Sequence, residues 1–375
     1  MWGWFLYSFG PVIPLLRREQ DTTRAIAGLH GTALAAGALI SAALTLPLVR
    51  RLGRRRLMYV ACALVTTGLV LLVGLRGPAY TVPSVLVLGV GGALGLNAVN
   101  PVLSEHHGDL GAGAIGEANA IATACGVVAP LAVGLSVAVG LSWRGAMVLT
   151  LPLLAVVCVL LFRTPNVPAF TAMAPTSGGQ QGAPPLPFWL AWGVMITCVG
   201  TEFCCTFWSA DQLRSHVGLS SESASAAVSA LLVGMTIGRM SSVPLTARWS
   251  VGRLLVAAIL LALVGWAVMW TATSVAVALL GLMVLGLGLA LQFPLSLVRT
   301  MQESGGRPDT ANALASVGIG LASGLSPFAL GALADHVGAH NGFLLVPALL
   351  ATGIALLALA SATRGRAPLT PSAPR

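Results

Sequence analysis

Charge is scarce in this sequence, and negative charge is the scarcest. Only 8% of the 375 residues are charged, against about a quarter in an ordinary soluble domain. Asp and Glu together number 11, while 56% of the residues are apolar. So few charged side chains cannot cover the surface of a water-soluble fold. The composition excludes a soluble globular protein and predicts an all-α integral membrane protein.

Lysine is absent, and cysteine is sparse. All 20 basic residues are arginine, and they occur in short gaps between apolar runs. The high sequence pI of 10.3 is therefore explained by arginines in the loops between membrane spans, and it does not indicate nucleic-acid binding. The six cysteines lie inside apolar stretches without CxxC spacing, so neither a disulfide framework nor a zinc site is indicated. We expect no metal, no cofactor and no nucleic-acid partner.

Long apolar runs fill most of the chain. A helix needs about 20 residues to cross a bilayer, and breaks at charges and at Pro and Gly clusters separate runs of about that length. The first run is short because Arg17 and Arg18 follow it closely, so either the helix is tilted or further residues precede Met1. We predict twelve membrane-spanning helices, at 1–16, 25–49, 56–75, 82–104, 114–140, 143–162, 187–210, 223–247, 252–272, 274–299, 310–334 and 341–362.

One polar gap divides these spans six and six. Residues 163–186 read RTPNVPAFTAMAPTSGGQQGAPPL, whose Pro, Gly, Ser and Gln cannot bury a core and are typical of a flexible linker. We therefore expect an N-terminal six-helix bundle, a cytoplasmic linker, a C-terminal six-helix bundle and a cytoplasmic tail, over 1–163, 164–186, 187–363 and 364–375.

The arginines are distributed unevenly between the two ends of the predicted spans. If both termini are cytoplasmic, thirteen arginines lie in the inner loops and the tail, and six lie in the outer loops. Cytoplasmic loops of membrane proteins carry the excess of basic residues. We expect a multi-pass protein of the plasma membrane with both termini in the cytoplasm. Arg239 is left within a span.

The two halves of the chain repeat each other. At a single offset and without a gap, the segment from Gly37 aligns with the segment from Gly234. A collinear series of such matches is hard to obtain by chance from a shared apolar composition. The pattern indicates two six-helix bundles related as parallel repeats. Matched pairs include Gly37/Gly234, Ile40/Ile237, Pro47/Pro244, Arg51/Arg248, Arg56/Arg253 and Pro130/Pro327.

The loop between spans two and three carries a recognisable motif. LPLVRRLGRRRLM resembles the loop signature of the major facilitator superfamily, Gly-x-x-x-Asp-Arg-x-Gly-Arg-Arg. Arg50 stands where the family has its Asp, and Leu46 stands at the leading Gly. The resemblance implies that the loop holds neighbouring helices in one conformational state, and the alternative is a plain positive-inside anchor. The residues that fit the motif are Arg51, Gly53, Arg54 and Arg55.

The resemblance also implies a fold and an activity. The fold is twelve transmembrane helices as two six-helix pseudo-repeats. The activity is secondary transport of a small organic solute by alternating access, with protons, by a monomer in the bilayer. Drug or metabolite export and sugar-like solute uptake both remain open. The alternatives are a polytopic membrane enzyme, for which GxSxG, HExxH and Walker motifs are missing, and a transport-inactive sensor or scaffold.

Glu202 is the candidate for proton coupling or substrate binding. It lies past the middle of the seventh span, and the nearest charges along the chain are Arg163 and Asp211. An ionisable side chain at membrane depth is costly unless it faces the bundle interior or a watery cavity. The alternative is a structural acid hydrogen-bonded to a neighbouring helix. Glu202 is the one acid predicted deep in the membrane, and no basic residue accompanies it from the N-terminal half. This distribution of charge argues against an anionic substrate.

Neutral polar side chains are the predicted substrate contacts. Asn97 and Asn100 lie three residues apart on one face of the fourth span. Asn100 directly precedes Pro101. In the tenth span, Gln292 likewise lies shortly before a proline, Pro294. Spans four and ten are equivalent in the repeat, so we predict matching helix breaks there, beside a central cavity.

Three further side chains are candidates for the cavity. Tyr7 and Trp208 fall in spans one and seven, the pair that lines the cavity according to the family resemblance, and core packing is the alternative for each. His30 in the second span can titrate, or it can be a hydrogen-bonded structural residue.

Overall fold

The computed structural model describes residues 1–107, 111–164 and 183–364, and nearly all of them are helical. Most of the predicted linker and tail lies outside this part of the chain. The helices are α1 (Trp2–Gln20), α2 (Arg24–Leu52), α3 (Arg54–Gly74), α4 (Pro78–His107), α5 (Gly111–Ala138), α6 (Ser142–Val148), α7 (Thr150–Arg163), α8 (Leu186–His216), α9 (Ser221–Met240), α10 (Ser242–Arg248), α11 (Val251–Trp270), α12 (Val275–Leu289), α13 (Gln292–Gln302), α14 (Pro308–Gly342) and α15 (Leu345–Arg364).

Eleven helical stretches in the described residues are long and apolar enough to cross a membrane. The twelfth is α1, which carries Arg17 and Arg18 in its last turn and packs against α5 and α8. Three of the twelve spans are interrupted, namely α6/α7, α9/α10 and α12/α13. The predicted all-α architecture of twelve transmembrane helices is confirmed.

The predicted pair of matching helix breaks is only half right. The tenth span is interrupted at Ala290 and Leu291, directly before Gln292. The fourth span is one continuous helix that runs through Pro101. A proline removes one backbone hydrogen bond, and a well-packed membrane helix tolerates that loss.

Turn and cap residues set where the helices end. Gly218 adopts φ 77°, a left-handed conformation that glycine adopts without strain, and it closes the connection after α8. Ser220 then caps α9, because its hydroxyl accepts a hydrogen bond from the Ser223 backbone N–H. Thr23 caps α2 and Ser274 caps α12 in the same manner.

Successive spans run in opposite directions, so the connections alternate between two faces of the bundle. We call one the linker face, since it carries 50–54, the end of α7 at 163–164, the start of α8 at 183–186, and the connections 248–251 and 302–308. The other is the short-loop face, which carries the connections around 20–24, 74–78, 138–142, 216–221, 270–275 and 342–345.

Close helix packing repeats in the two halves. A Cβ placed on Gly89 of α4 would lie 2.5 Å from the carbonyl oxygen of Leu34 in α2. A Cβ on Gly286 of α12 would meet the carbonyl oxygen of Leu231 in α9 in the same way. Small residues let membrane helices approach this closely. Equivalent pairs of the repeat are Gly37 on Leu86 with Gly234 on Met283, and Gly68 on Leu88 with Gly265 on Leu285.

The two halves meet along two helix pairs, α2 with α14 and α5 with α9. Near the short-loop face the first pair is in direct backbone contact, at Gly28 and Phe328. One turn further along, the Thr32 hydroxyl donates a hydrogen bond of 2.8 Å to the Gly324 carbonyl. Leu39 of α2 still contacts α14, at Gly320.

Beyond Leu39 the halves separate. The stripe of α2 that faces α14 continues at helical spacing to Ala43 and Leu46, and both are exposed, Leu46 by 46%. On α14 the matching continuation, Ala313 and Ser316, is exposed as well. A cleft between the halves therefore opens toward the linker face.

Candidate functional site

A cluster of four polar side chains crosses the interface between the halves. Arg239 of α9 donates from Nη2 to Oε1 of Glu202 in α8, at 3.4 Å. From Nη1 it donates to the Tyr7 hydroxyl of α1 at 3.4 Å and to the Thr123 hydroxyl of α5 at 3.3 Å. We call these residues the central charge cluster. A single guanidinium thus joins two helices of each half.

The cluster changes the interpretation of Glu202. No residue on its own helix neutralises this acid, as the sequence indicates, and an arginine on the next helix does neutralise it. The signal was present in the sequence, because Arg239 was the arginine that no loop could accommodate. Thr123 could not be found that way, since one threonine in an apolar span carries no signal.

The cluster is partly accessible and lies on the cleft side of the interface. The exposed fraction of the side chain is 32% for Arg239 and 18% for Glu202. Along α5, the Thr123 contact lies about one turn farther from the short-loop face than the hydrogen bond from Ser229 to Val127. Exposed groups at this position can meet a solute that enters through the cleft.

Helix packing holds Tyr7 in this position. Its ring lies directly on Gly126 of α5, where a Cβ would come within 2.6 Å of the ring. Because Gly126 leaves this space, the Tyr7 hydroxyl reaches Arg239 from the opposite half. Of the predicted cavity residues, Tyr7 is the one that the structure brings together with Glu202.

A second charge cluster closes the short-loop face. Asp211 of α8 accepts a hydrogen bond of 2.7 Å from Nε of Arg24 in α2 and lies 3.6 Å from Arg17 of α1 and 3.5 Å from Arg214. Asp335 of α14 accepts from the backbone N–H groups of Arg24 and Ala25, each at 2.8 Å. We call this cluster the latch.

The latch joins the halves at the N-terminus of α2. Unpaired N–H groups and the helix dipole favour a carboxylate at that position, so Asp335 serves as a helix cap supplied by the other half. The Asp211 side chain is only 1% exposed, so it is more deeply buried than Glu202. Asp211 lies near the C-terminal end of α8, at the short-loop face, so it is buried between helices without lying as deep in the span as Glu202.

Three predicted contacts serve packing. Gln292 is buried, and its amide donates to the Ala258 carbonyl of α11. Trp208 is 1% exposed and donates a 2.8 Å hydrogen bond from its indole to the Pro327 carbonyl of α14. His30 is fully buried and lies between the Ala27 carbonyl and the Thr81 hydroxyl. The structure places none of these three in the central charge cluster.

The asparagines of the fourth span are exposed and lie away from the cluster. Asn97 donates to the hydroxyls of Ser41 and Thr45 in α2, at 3.3 and 3.1 Å. Its amide therefore ties α4 to α2 within the first half. Asn100 lies three residues further toward the linker face and is also exposed.

The loop motif of the first half joins α2 to α3. Gly53 adopts φ 77° and separates the two helices, and the backbone N–H of Gly53 closes α2 on the Val49 carbonyl. Arg55 donates to the carbonyl of Phe162 at the end of α7, at 3.2 Å. Arg54 is buried and Arg51 is exposed. Arg55 thus links span six to the loop.

No group of three or more His, Cys, Asp and Glu side chains in the described ranges lies close enough together to hold a metal ion. The two charge clusters are accordingly built from arginine, carboxylate and hydroxyl groups alone.

The fold is similar to that of solved transporters. The nucleoside transporter NupG, as a point mutant, superposes with a TM-score of 0.78 at 14% identity over 96% of this chain and 95% of the other. A bacterial homologue of the human lysosomal transporter Spinster, in an inward-facing and occupied conformation, gives 0.74 at 16% identity over 99% and 97%. A D-xylose-proton symporter gives 0.71 at 14% identity over 96% and 94%.

The sequence itself matches a family model. No curated protein matches the chain significantly. The model of the Major Facilitator Superfamily, however, matches residues 1–209 and again residues 190–375. The two matches together span the whole sequence and agree with the loop motif and with the fold. The chain is a multi-pass membrane protein that belongs to the major facilitator superfamily of transporters.

Proposed function

We propose that this protein moves a small organic solute across the plasma membrane by alternating access, coupled to protons through Glu202. Both termini lie in the cytoplasm, so the cleft opens inward and the latch closes the outer face. The moving units are the bundles 1–163 and 187–363, joined by the linker 164–186 and followed by the tail 364–375, in a monomer. Nucleosides, xylose and fucose are solutes of structurally similar transporters.

The observation that carries the proposal is the ion pair between Glu202 and Arg239 in the interface. A carboxylate and a guanidinium at membrane depth are costly to maintain, so a purely structural contact there is expected to be apolar. Tyr7 and Thr123 attach the pair to the opposite half. A change in the protonation of Glu202 therefore alters a contact between the two moving units.

The proposed cycle uses both clusters in turn. In the inward-open state Glu202 exchanges its proton and the solute with the cytoplasm through the cleft. Closure of the cleft brings the inner ends of α2 and α14 together, and the latch at the outer face must then release Arg17 and Arg24 from Asp211. The outward-open state exchanges proton and solute with the exterior.

The test is proton flux in proteoliposomes loaded with a pH-sensitive dye. Uridine, xylose, fucose and small organic acids are added one at a time under a pH gradient of either sign. A coupled solute changes the internal pH saturably in the wild-type protein. Glu202→Gln is expected to abolish this proton flux and proton-driven accumulation, while counterflow exchange of the same solute persists.

Glu222→Gln is the matched control, because Glu222 lies in the first turn of α9, at the short-loop face and outside both clusters. This variant is expected to keep wild-type proton flux. An unchanged pH-gradient dependence in Glu202→Gln contradicts the assignment of the proton to Glu202. A lack of saturable flux for every solute contradicts the transport function and favours the sensor or scaffold alternative.

A further inference from the structure

Arg239 has more hydrogen-bonding capacity than its neighbours use. A guanidinium carries five N–H donors in a planar fork. The three contacts of Arg239 lie at 3.3 to 3.4 Å, longer than a strong charge-assisted hydrogen bond, which is about 2.7–2.9 Å. Its side chain also remains 32% exposed beside the cleft. The guanidinium is therefore held in place without being saturated.

The charge of Arg239 is balanced by one group. Among the described residues of α8, of α9 and of the helices packed against them, the other ionisable groups near this depth are the Tyr7 hydroxyl of α1 and four cysteine thiols, which are neutral in their protonated form. Glu117 of α5 lies toward the linker face. The cysteines are Cys125 of α5 and Cys198, Cys204 and Cys205 of α8. Arg299 and Glu303 of α13 lie toward the linker face, and Asp335, His336 and His340 of α14 lie toward the short-loop face. When Glu202 takes up a proton, the guanidinium therefore loses its negative partner in a medium of low dielectric constant.

We propose that Arg239 binds the carboxylate of a small monoanionic organic acid, and that the acid replaces the carboxylate of Glu202 when Glu202 becomes protonated. This inference rests on the proposed transport function and names its substrate class. The proton passes to a carboxylate oxygen of Glu202, and the bound substrate remains an anion. One proton and one anion move together, so the step is electroneutral.

The neighbours of Arg239 fit a carboxylate. Arginine binds carboxylates with two parallel N–H···O bonds. The Tyr7 hydroxyl lies at Nη1, where it can donate to a substrate oxygen. A single cation balances one negative charge, so a dianion such as a phosphate monoester is expected to bind much more weakly.

An anionic substrate reverses the expectation drawn from the sequence, in which no base accompanies Glu202 in the N-terminal half. The base lies in the C-terminal half, on α9, and contacts the N-terminal half only through Tyr7 and Thr123. The binding site for an anion therefore needs no base in the N-terminal half.

The experiment measures binding to the purified full-length protein by thermal stabilisation in detergent. The probes are three acids and their neutral counterparts, namely lactate with lactamide, benzoate with benzamide and glucuronate with glucose. At least one acid is expected to bind at least about tenfold more tightly than its counterpart. Its Kd is expected to be at least about tenfold lower at pH 6 than at pH 8, because protonation of Glu202 releases Arg239.

Variants separate the roles of the two charges. Arg239→Gln is expected to abolish the preference for the acid, and Arg239→Lys to weaken binding about tenfold, since an ammonium lacks the planar fork. Glu202→Gln is expected to bind the acid equally well at both pH values. Arg76→Gln is the matched control, because Arg76 is exposed in the 74–78 connection, and it is expected to bind like the wild type.

The double variant Glu202→Gln/Arg239→Gln keeps the test valid if either single variant misfolds. It leaves no unpaired charge in the cluster, and it is expected to fold and to show no preference for acids. Equal binding of acids and their neutral counterparts, or acid binding that survives Arg239→Gln, overturns the inference.

The proteoliposome assay distinguishes the two proposals. Proton-coupled flux of xylose, fucose or uridine without any acid binding refutes the substrate class and leaves the transport function intact. Arg239-dependent acid binding without flux of any solute refutes the transport function and leaves the binding site intact.

Discussion

At the scale of single residues, the two side chains that most strongly indicate a functional site are the oppositely charged Glu202 and Arg239. Glu202 and Arg239 both stand out as charges inside predicted spans, because charge at membrane depth is rare and costly. Which of the two meets the other, and which hydroxyls accompany them, depends on helix rotation, and sequence spacing does not reveal rotation between helices. The roles of Trp208, Gln292 and His30 were undecidable from sequence for the same reason.

His30 provides the clearest residue-scale contrast with Glu202. The Ala27 carbonyl can only accept, so Nδ1 of His30 carries a proton, and Nε2 lies 2.8 Å from the Thr81 hydroxyl, which also contacts the Gly77 carbonyl. His30→Ala is expected to lower the free energy of unfolding by about 1–3 kcal/mol, because the Thr81 hydroxyl loses a buried partner. The pH dependence of solute flux is expected to remain that of the wild type, as measured in the dye-loaded proteoliposomes. A shifted pH profile in this variant contradicts the structural role.

At the scale of elements, apolar length and charge breaks located the spans, since a helix satisfies its own backbone groups in lipid. The repeat in the sequence reappears as repeated helix contacts, with Gly89 on Leu34 in one half and Gly286 on Leu231 in the other. The interruptions within spans were less predictable. Prolines occur in both spans four and ten, and only local packing determined that one helix continues while the other breaks.

Two glycines of α4 test the packing role directly. Gly89→Ala is expected to destabilise the protein by about 1–3 kcal/mol, because the new Cβ would lie 2.5 Å from the Leu34 carbonyl oxygen and force α2 and α4 apart. Gly95→Ala is the control on the same helix, since its Cβ would make an ordinary contact of 3.7 Å with Ala61. Thermal unfolding in detergent measures both. Equal effects of the two substitutions contradict the importance of the close approach.

At the scale of the whole molecule, the two charge clusters and the cleft define one conformational state. The latch holds the halves together at the short-loop face, while α2 and α14 separate toward the linker face. The loop motif at the linker face indicates the family. The contacts between the halves that close the short-loop face are supplied by Asp211 and Asp335. These two acids lie near helix ends in the sequence, where an acid usually faces water, so neither the burial of Asp211 nor the contact of Asp335 with the other half could be foreseen.

The latch is tested by removal of its shared acid. Asp211→Asn is expected to open the short-loop face, because Arg17, Arg24 and Arg214 then repel one another without their common partner. Labelling of a cysteine at buried Ser209 by an impermeant maleimide, with the six native cysteines replaced, is expected to accelerate at least about tenfold.

Glu19→Gln is the control for the latch. Glu19 pairs with Arg144 through two contacts of 2.6 Å, and both residues belong to the first half. Its loss removes an ion pair of the same face without touching the interface between the halves, so Ser209 is expected to remain protected. Equal labelling of both variants contradicts the role of Asp211 as a latch.

The sequence by itself determined the membrane environment, the number of spans, the repeat and the family, because these depend on composition, apolar length and motif order, which are properties of the linear chain. Only the tertiary structure decided that Glu202 is paired, that Asp211 is buried in a latch and that the cleft opens at the linker face. Those features depend on which helix faces meet across the two halves. A rotation of one helix by a third of a turn would change every such contact and leave the sequence pattern unaltered.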